Sequence, residues 1–120
     1  MGYIKHNAII VTGWEKKSME SVHSKAKEIF KEGFKQDNTN GDQLISELIL
    51  GLANTQYTFM VAPDGSKEGW ATSKFGDEAR EELLNWISKS DYYCDYIEIR
   101  FGGDDESEGV IRSNEIDYDY

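Results

Sequence analysis

Residues 62–70, Ala-Pro-Asp-Gly-Ser-Lys-Glu-Gly-Trp, hold the side chains best suited to contacting a ligand. Lys67, Glu68 and Trp70 place a cation, an anion and a large indole within four residues. Gly69 lies among them and lacks a side chain, so that another backbone or a ligand can approach closely. The stretch therefore favours either a ligand-binding loop or an ordinary hairpin whose turn is solvated.

The start of this stretch has the residues of a tight turn. Pro63 presets φ at the first corner, Asp64 can bond its own backbone two residues on, and Gly65 tolerates a positive φ. Because an apolar run, residues 57–62, precedes the turn, we expect a strand there and a return strand through residues 69–71.

Cationic side chains elsewhere in the chain could bind phosphate. Arginine forms bidentate contacts with phosphate, and aromatic rings stack on bases. Arg80, Arg100 and Arg112, together with Lys67, could converge across one sheet or across an oligomer interface. Each of them is also typical of a solvated surface charge.

We find no catalytic constellation in the sequence. His6 and His23 have no neighbouring nucleophile, and Cys94 lies among tyrosines, as a buried structural thiol often does. Asp104 and Asp105 fall in an acidic turn that is more typical of a solvated loop than of a hydrolytic or metal site. A phosphate-binding glycine loop and a dinucleotide fingerprint are both missing. We therefore expect no enzymatic activity, no metal and no cofactor.

One polar region imitates a calcium-binding loop. In a loop begun at Gln36, Asn38, Asn40 and Glu47 occupy the third, fifth and twelfth places. The first place should be Asp and the eighth apolar, but Gln36 and Gln43 stand there. We expect no calcium site.

Composition indicates one acidic globular domain. The 120 residues are 38% hydrophobic and 30% charged, with a formal net charge of −10. Residues 104–120 contain seven acids and one arginine, which give −6 of that charge. An acidic chain has no cationic surface that could release counterions from phosphates, so we expect no DNA binding.

Location is predicted from three features of the sequence. The single cysteine, Cys94, excludes an internal disulfide and fits a reducing compartment. No apolar run approaches the roughly 18 residues of a membrane span, and the N-terminus lacks the layout of a signal peptide. We expect a soluble, cytosolic protein without membrane association.

Hydrophobic patterning predicts the strands. Residues 6–13 are a continuous apolar run typical of a buried central strand, and residues 110–112 form a short partner strand. Residues 96–101 alternate, with Ile97, Ile99 and Phe101 on one side. Tyr96, Glu98 and Arg100 would then form a wet or functional face.

Helical spacing appears in three segments. Residues 18–33 predict a first helix, which Ser18 would cap and Gly33 would close. A short helix is predicted over residues 44–52. Gly76 and Asp77 would open the second main helix, with Asp77 as its cap and Ala79, Leu83 and Ile87 on its apolar face.

These elements predict an α+β fold, a two-layer sandwich of a mainly antiparallel sheet with two main helices on one face. Residues 1–113 would form a single domain and residues 114–120 an acidic flexible tail. The other sheet face would carry several aromatic side chains, from which we expect a homo-oligomer. These are Tyr57, Phe59, Trp70, Tyr93 and Tyr96.

Four segments resemble a family of small bacteriophage proteins, and within it the phage Thoeris anti-defence sponges. The segments are His-x-Ala-Ile-Ile-Val-Thr at residues 6–12, the whole of residues 62–70, Gly-Asp-x-x-Arg at residues 76–80 with Trp86, and Ile-Glu-Ile-x-Phe-Gly at residues 97–102. The likeness covers residues 6 to 112. Such sponges capture the cyclic ADP-ribose signal that activates a bacterial antiviral system.

The resemblance implies an oligomer built on dimers that binds intact cyclised ADP-ribose without cleaving it, in the cytoplasm of an infected bacterium. Some relatives also hold cyclic oligonucleotides at a separate site. The family uses arginines and an aromatic residue for these ligands, and the acidic tail of this chain departs from its pattern. The ligand-binding candidates are Arg112, Arg100, Trp70, Lys67, Arg80, Phe101 and His6.

Two other functions remain open. One is an acidic inhibitor of a host defence enzyme, such as a DNA mimic, which the net charge favours and the clustered aromatics do not. The other is a small hydrolase, for which the sequence offers no residues.

Overall fold

A computed structural model of the chain describes residue 4 and residues 6–67, 69–103 and 108–114. Glu68, the acidic pair Asp104-Asp105 and residues 115–120 therefore lie outside the described residues. Two 3-10 turns, Lys35–Asp37 and Gly41–Leu44, accompany the main elements. These are β1 (His6–Gly13), α1 (Lys16–Gly33), β2 (Ile49–Leu50), β3 (Tyr57–Val61), α2 (Ala71–Lys89), β4 (Asp95–Phe101) and β5 (Gly109–Ser113).

The strands form one antiparallel sheet in the order β2-β3-β1-β4-β5. The first strand is central, as its continuous apolar run predicts, and its bounds match the prediction. Ile9 and Val11 of β1 are fully buried in one core with residues of both helices. The predicted α+β fold is confirmed. No helix in the described part of the chain is long and apolar enough to cross a membrane.

The core lies between the helices and one sheet face, which we call the helix-side face. From the sheet it receives Ile9, Val11, Phe59 and Val61. The buried side chains of the helices include Met19, Val22, Ala26, Ile29, Phe30, Ala79, Leu83, Leu84 and Ile87. The apolar faces predicted for both helices are therefore the faces that they bury.

α2 begins six residues before its predicted cap, at Ala71. The backbone oxygen of Trp70 accepts bonds from the amides of Ser73 and Lys74, and Asp77 lies inside the helix. The expected return strand over residues 69–71 is wrong, because the chain turns at Gly69, where φ is +93°, and then becomes helical. Among the described residues, one isolated bridge, between Lys67 and Ile4, continues the sheet there.

The helix expected over residues 44–52 is also wrong. The segment is extended beside the outer edge of β3, which would otherwise lack hydrogen-bond partners on that side. The backbone nitrogen of Ser46 donates to the oxygen of Met60, and that of Ala62 donates to the oxygen of Leu44. Ile45 joins the core. Helical spacing of apolar residues is here overridden by strand pairing.

The start of α1 differs from the prediction as well. The helix begins at Lys16, its N-cap residue is Glu15, and no side chain caps it. Ser18 lies inside the first turn, where its hydroxyl donates to the Glu15 carboxylate.

The orientation of β4 is opposite to the predicted one. Glu98 pairs with Ile9 in register and is only 2% exposed, so the polar side of this strand faces the helices. Ile97 and Ile99 point to the other side. The wet face predicted for Tyr96, Glu98 and Arg100 is therefore wrong, and the reason is the ion pairing of Glu98 described below.

The second face of the sheet, which we call the open sheet face, is aliphatic. The prediction of an aromatic face is wrong, since Phe59 is in the core and Tyr57 and Tyr96 pack against it. By strand register the middle of the open sheet face consists of Ala8, Ile10, Ile49, Thr58, Met60, Ile97, Ile99 and Val110, none of which is charged. The same register places Asp95, beside Thr12, at one end of this face and the His6–Phe101 pair at the other end.

The predicted tail starts with Asn114, the last described residue of the chain. The side-chain amide of Asn114 makes two hydrogen bonds to the backbone at the start of β4. Its Oδ1 accepts from the amide of Tyr96 at 3.0 Å, and its Nδ2 donates to the oxygen of Cys94, the residue before β4, at 2.7 Å. Asn114 is therefore part of the folded domain.

Candidate functional site

Five polar residues meet beneath the sheet and form what we call the buried charge cluster: Asn7, Asp64, Arg80, Glu98 and Arg112. Glu98 lies at its centre. One of its carboxylate oxygens accepts from Nε and Nη2 of Arg112, at 2.9 and 2.6 Å, and the other accepts from Nδ2 of Asn7 at 3.1 Å. These contacts satisfy a carboxylate that the core would otherwise exclude.

Arg80 connects α2 to the rest of the cluster. Its Nη1 lies 3.3 Å from Asp64 and its Nη2 2.5 Å from Asp77, one helical turn before it. Its Nε lies 3.3 Å from Glu98, but the angle there does not make a hydrogen bond, and this buried nitrogen has no hydrogen-bond partner among the described residues. Arg80 is 4% exposed. It is held by three carboxylates and is not presented to solvent.

Gly76 explains how Asp64 reaches this arginine. A Cβ at this position would lie 2.0 Å from the Asp64 carboxylate, so only glycine allows the loop to sit on the helix. Oδ1 of Asp64 also accepts from the amide of Ser66 at 2.9 Å, as predicted for a residue bonding two positions on. Residues 62–70 and residues 76–80 thus form one structural unit.

The cluster changes the role expected of two arginines. Glu98 neutralises Arg112 and Asp64 neutralises Arg80 in surroundings where an unpaired charge is costly. A phosphate would have to displace carboxylates from Arg80, which is 4% exposed, whereas Arg112 is 33% exposed and contacts Glu98 through Nε and Nη2. Substitution of Arg112 should therefore destabilise the fold, and we assign Arg80 and Arg112 to holding the strands and the loop in place.

Lys67 and Trp70 lie together at the surface, as their spacing predicts. The Lys67 ammonium is 5.9 Å from the centre of the Trp70 ring, and Trp70 is 54% exposed. We call this pair, with the start of α2, the Lys67–Trp70 surface. A cavity of about 250 Å³ adjoins it, lined in part by Asp64, Gly65 and Thr72.

The three other predicted residues lie on β1 and β4. His6 and Phe101 pair in register, with ring centroids 5.5 Å apart. Arg100 is half-buried and pairs with Asn7 on the helix-side face. Because Ile4, two residues before His6, bridges to Lys67, the His6–Phe101 pair and the Lys67–Trp70 surface share one end of the sheet.

Sequence reasoning missed the partners that hold this region. The strand pattern predicts a wet face for Glu98, and the local sequence predicts only a turn for Asp64. A signal was present for Glu98, because a lone acid between Ile97 and Ile99 must either break the strand pattern or find a buried partner. For Asp64 no local signal exists, since Arg80 is 16 residues away.

Two other side chains with reactive groups belong to His23 and Cys94. Nε2 of His23 lies 2.7 Å from the backbone oxygen of Ser46, and its ring packs edge-on against Phe59. Burial, and then the negative charge of Asp95, raise the pKa of the Cys94 thiol from 9.0 to about 11. Among the described residues, no group of His, Cys, Asp and Glu side chains could hold a metal ion.

Comparisons of this chain with protein-family models, with curated proteins and with solved structures found no match.

Proposed function

We propose that this protein binds a cyclic ADP-ribose-type nucleotide and holds it uncleaved, as a phage protein that counters a bacterial antiviral signalling system. The Lys67–Trp70 surface carries the proposal, because it presents an indole and a cation side by side at a helix start. The resemblance of residues 62–70 and 76–80 to the anti-defence sponges supplies the ligand class.

Trp70 would stack on the adenine ring. Because the indole of Trp70 is more than half exposed, covering it with a ligand would remove apolar surface from water. Base stacking on such a ring contributes about 1–3 kcal/mol to the binding free energy. The adjoining cavity of about 250 Å³ would hold the base and its ribose. It is smaller than the roughly 300–1,000 Å³ of pockets that enclose a whole ligand, so the pyrophosphate would lie outside it.

Lys67 and the start of α2 would bind the pyrophosphate. The Lys67 ammonium is an adjustable point charge for phosphate oxygens. The first turn of α2 carries no acidic residue, and its amide groups lie at the positive end of the helix dipole. This local positive potential would attract an anion to a chain whose net charge is −10.

The buried charge cluster would keep this surface in place. Asp64 anchors the loop on α2, because it pairs with Arg80 and fits into the space left by Gly76. Asp64 precedes Lys67 by three residues and Trp70 by six, so the anchor lies close to both along the chain. A preformed loop loses little conformational entropy when a ligand binds. Tight capture without turnover depends on such rigidity.

The test is recovery of the nucleotide. The full chain is incubated with cyclic ADP-ribose, freed of unbound ligand by gel filtration, denatured and analysed by mass spectrometry. We expect intact cyclic ADP-ribose to be released. Trp70→Ala should weaken binding about five- to a hundredfold by calorimetry, and Lys67→Ala by about tenfold or more.

Trp14→Ala is the matched control, since Trp14 is also 54% exposed but lies at the other end of β1. It should leave cyclic ADP-ribose binding unchanged. Recovery of linear ADP-ribose would overturn capture without cleavage. No recovered nucleotide would overturn the proposed function and leave the acidic-inhibitor hypothesis as the alternative.

A further inference from the structure

A second cavity lies at the end of the sheet where β1 finishes and β4 begins. Its volume is about 450 Å³, and four aromatic residues line it: Trp14, Tyr92, Tyr93 and Tyr96. The carboxylate-bearing Asp95 lines it as well, and none of the described lining residues is Lys or Arg. The Lys67–Trp70 surface is at the opposite end of β1.

The wall of this cavity is held by hydrogen bonds and close packing. Asn114 bonds to the backbone of both Cys94 and Tyr96, which fixes the strand between them. A Cβ at Gly13 would lie 3.1 Å from the Tyr93 backbone oxygen, so Tyr93 packs directly on β1 beside Trp14. The ring of Tyr92 is oriented by Trp86, 5.7 Å away. The cavity is therefore formed before any ligand enters.

Two of its aromatic side chains contribute little to the core. Tyr93 is 89% exposed and Trp14 54% exposed. A folded domain normally buries such large apolar surfaces unless they serve contacts with another molecule. Their presence around one concave site, rather than scattered over the surface, indicates a ligand.

The chemistry of the lining selects the charge of that ligand. Aromatic faces carry negative electrostatic potential and attract cations, most strongly at indole. Asp95 adds a formal negative charge, and the acidic chain as a whole repels anions. A strongly hydrated ion would be poorly matched to an aromatic wall, whereas an alkylated ammonium has apolar groups that pack against rings.

We propose that this pocket binds a small organic cation of the quaternary ammonium class, with its charge against the aromatic rings and Asp95. This site is independent of the proposed nucleotide site, which attracts anions. The four rings would enclose the alkyl groups, and Asp95 would supply the counter-charge at the rim.

The experiment compares choline with 3,3-dimethylbutan-1-ol, a neutral compound in which carbon replaces the charged nitrogen. Binding to the full chain is measured by calorimetry and by the NMR signals of the indole N–H groups. We expect saturable choline binding at millimolar concentrations and binding of the neutral compound that is weaker by about tenfold. The Trp14 indole signal should shift, and the Trp70 signal should not.

Variants separate the pocket from nonspecific binding. Trp14→Ala and Tyr93→Ala alter exposed side chains, so the fold should persist, and each should weaken choline binding about fivefold or more. Asp95→Asn keeps the shape and should weaken choline but not the neutral compound. Trp70→Ala should change the affinity for neither choline nor the neutral compound. Three results would overturn the proposal. They are equal affinity for choline and the neutral compound, no saturable choline binding at millimolar concentrations, and choline binding by Trp14→Ala that equals that of the wild type.

Discussion

Glu98 is the residue on which the buried charge cluster depends. Its carboxylate compensates Arg112 directly and Arg80 through a close contact. Glu98→Gln keeps the size of the side chain but removes the charge that both guanidinium groups face. We expect a loss of about 3–5 kcal/mol in the free energy of unfolding, measured by urea denaturation, because one partner of a buried pair is removed.

Glu81→Gln is the matched control for this prediction. Glu81 is on the exposed face of α2, and removing a solvated charge there should change the free energy of unfolding by less than about 0.5 kcal/mol. If both variants unfold at the same urea concentration, the cluster does not stabilise the fold.

Cys94 provides a prediction about pH. Because its pKa is raised to about 11 in the folded protein, its contribution to stability is complete below pH 9.0 and is lost as pH rises towards 11. The unfolded chain releases the proton first, so high pH favours unfolding by an amount on the order of 2 kcal/mol. At neutral pH the thiol should react slowly with alkylating reagents.

Cys94→Ala isolates this effect from the titration of tyrosines and lysines. The difference in unfolding free energy between wild type and variant should shrink between pH 9 and pH 11. A difference that is constant with pH would contradict the assigned cause.

At the scale of the elements, β5 depends on the residue that follows it. A chain ending at Asn114 should have the stability of the full chain, because Asn114 makes the last bonds to β4 among the described residues. A chain ending at Ser113 leaves the Cys94 carbonyl and the Tyr96 amide without these bonds, and should lose about 1–3 kcal/mol.

Thermal unfolding of the two truncated chains measures this difference. Asn114→Ala in the full chain serves as an internal check, since it removes the two side-chain bonds without moving the C-terminal charge and keeps the bond from the backbone N–H of residue 114 to the Tyr96 oxygen. Equal melting temperatures for all four proteins would show that β5 is held by its strand pairing alone.

Local patterns were sufficient for some elements and misleading for others. β1 and α1 follow from runs of apolar residues at strand and helix spacing, because nothing distant competes for them. The orientation of β4 could not be predicted, since Arg112, Arg80 and Asn7, which contact Glu98, are 14, 18 and 91 residues away in sequence and on different elements. Gly76 resembled a helix start, but it makes room for Asp64.

The candidate site divides in the same way. Lys67 and Trp70 could be grouped from sequence, because only two residues lie between them and the turn before them is local. The charge of Arg80 and Arg112 is the type that binds phosphate, and the sequence offers no further information about their surroundings. Their contacts with carboxylates depend on the positions of α2 beneath the sheet and of β5 beside β4, which no spacing in the sequence reports.

For the whole molecule, the open sheet face should cause self-association. The centre of the face is uncharged in a chain of net charge −10, so it is the surface on which two copies repel least. Its exposed aliphatic side chains include Ile10, Ile49, Met60 and Val110, and contact with a second copy would remove them from water. We expect dimers by analytical ultracentrifugation at micromolar concentration, strengthened by salt.

Met60→Lys should weaken this dimer, because it places a charge in the middle of the face. Leu52→Lys is the control, since Leu52 is fully exposed but lies beyond β2. A wild-type protein that stays monomeric at high salt, or a Met60→Lys variant that dimerises like wild type, would contradict the prediction.

The central position of β1 also bears on how the chain is made by a ribosome. Asn7 meets Glu98 across 91 residues, so β1 cannot complete its pairing until β4 has been synthesised. At about 5–20 residues per second, this delay is roughly 5–18 s. During that time the most apolar strand of the protein has an unpaired edge, and the nascent chain is a substrate for chaperones. Slower translation between residues 62 and 98 should therefore lower the yield of native protein more than slower translation after residue 101.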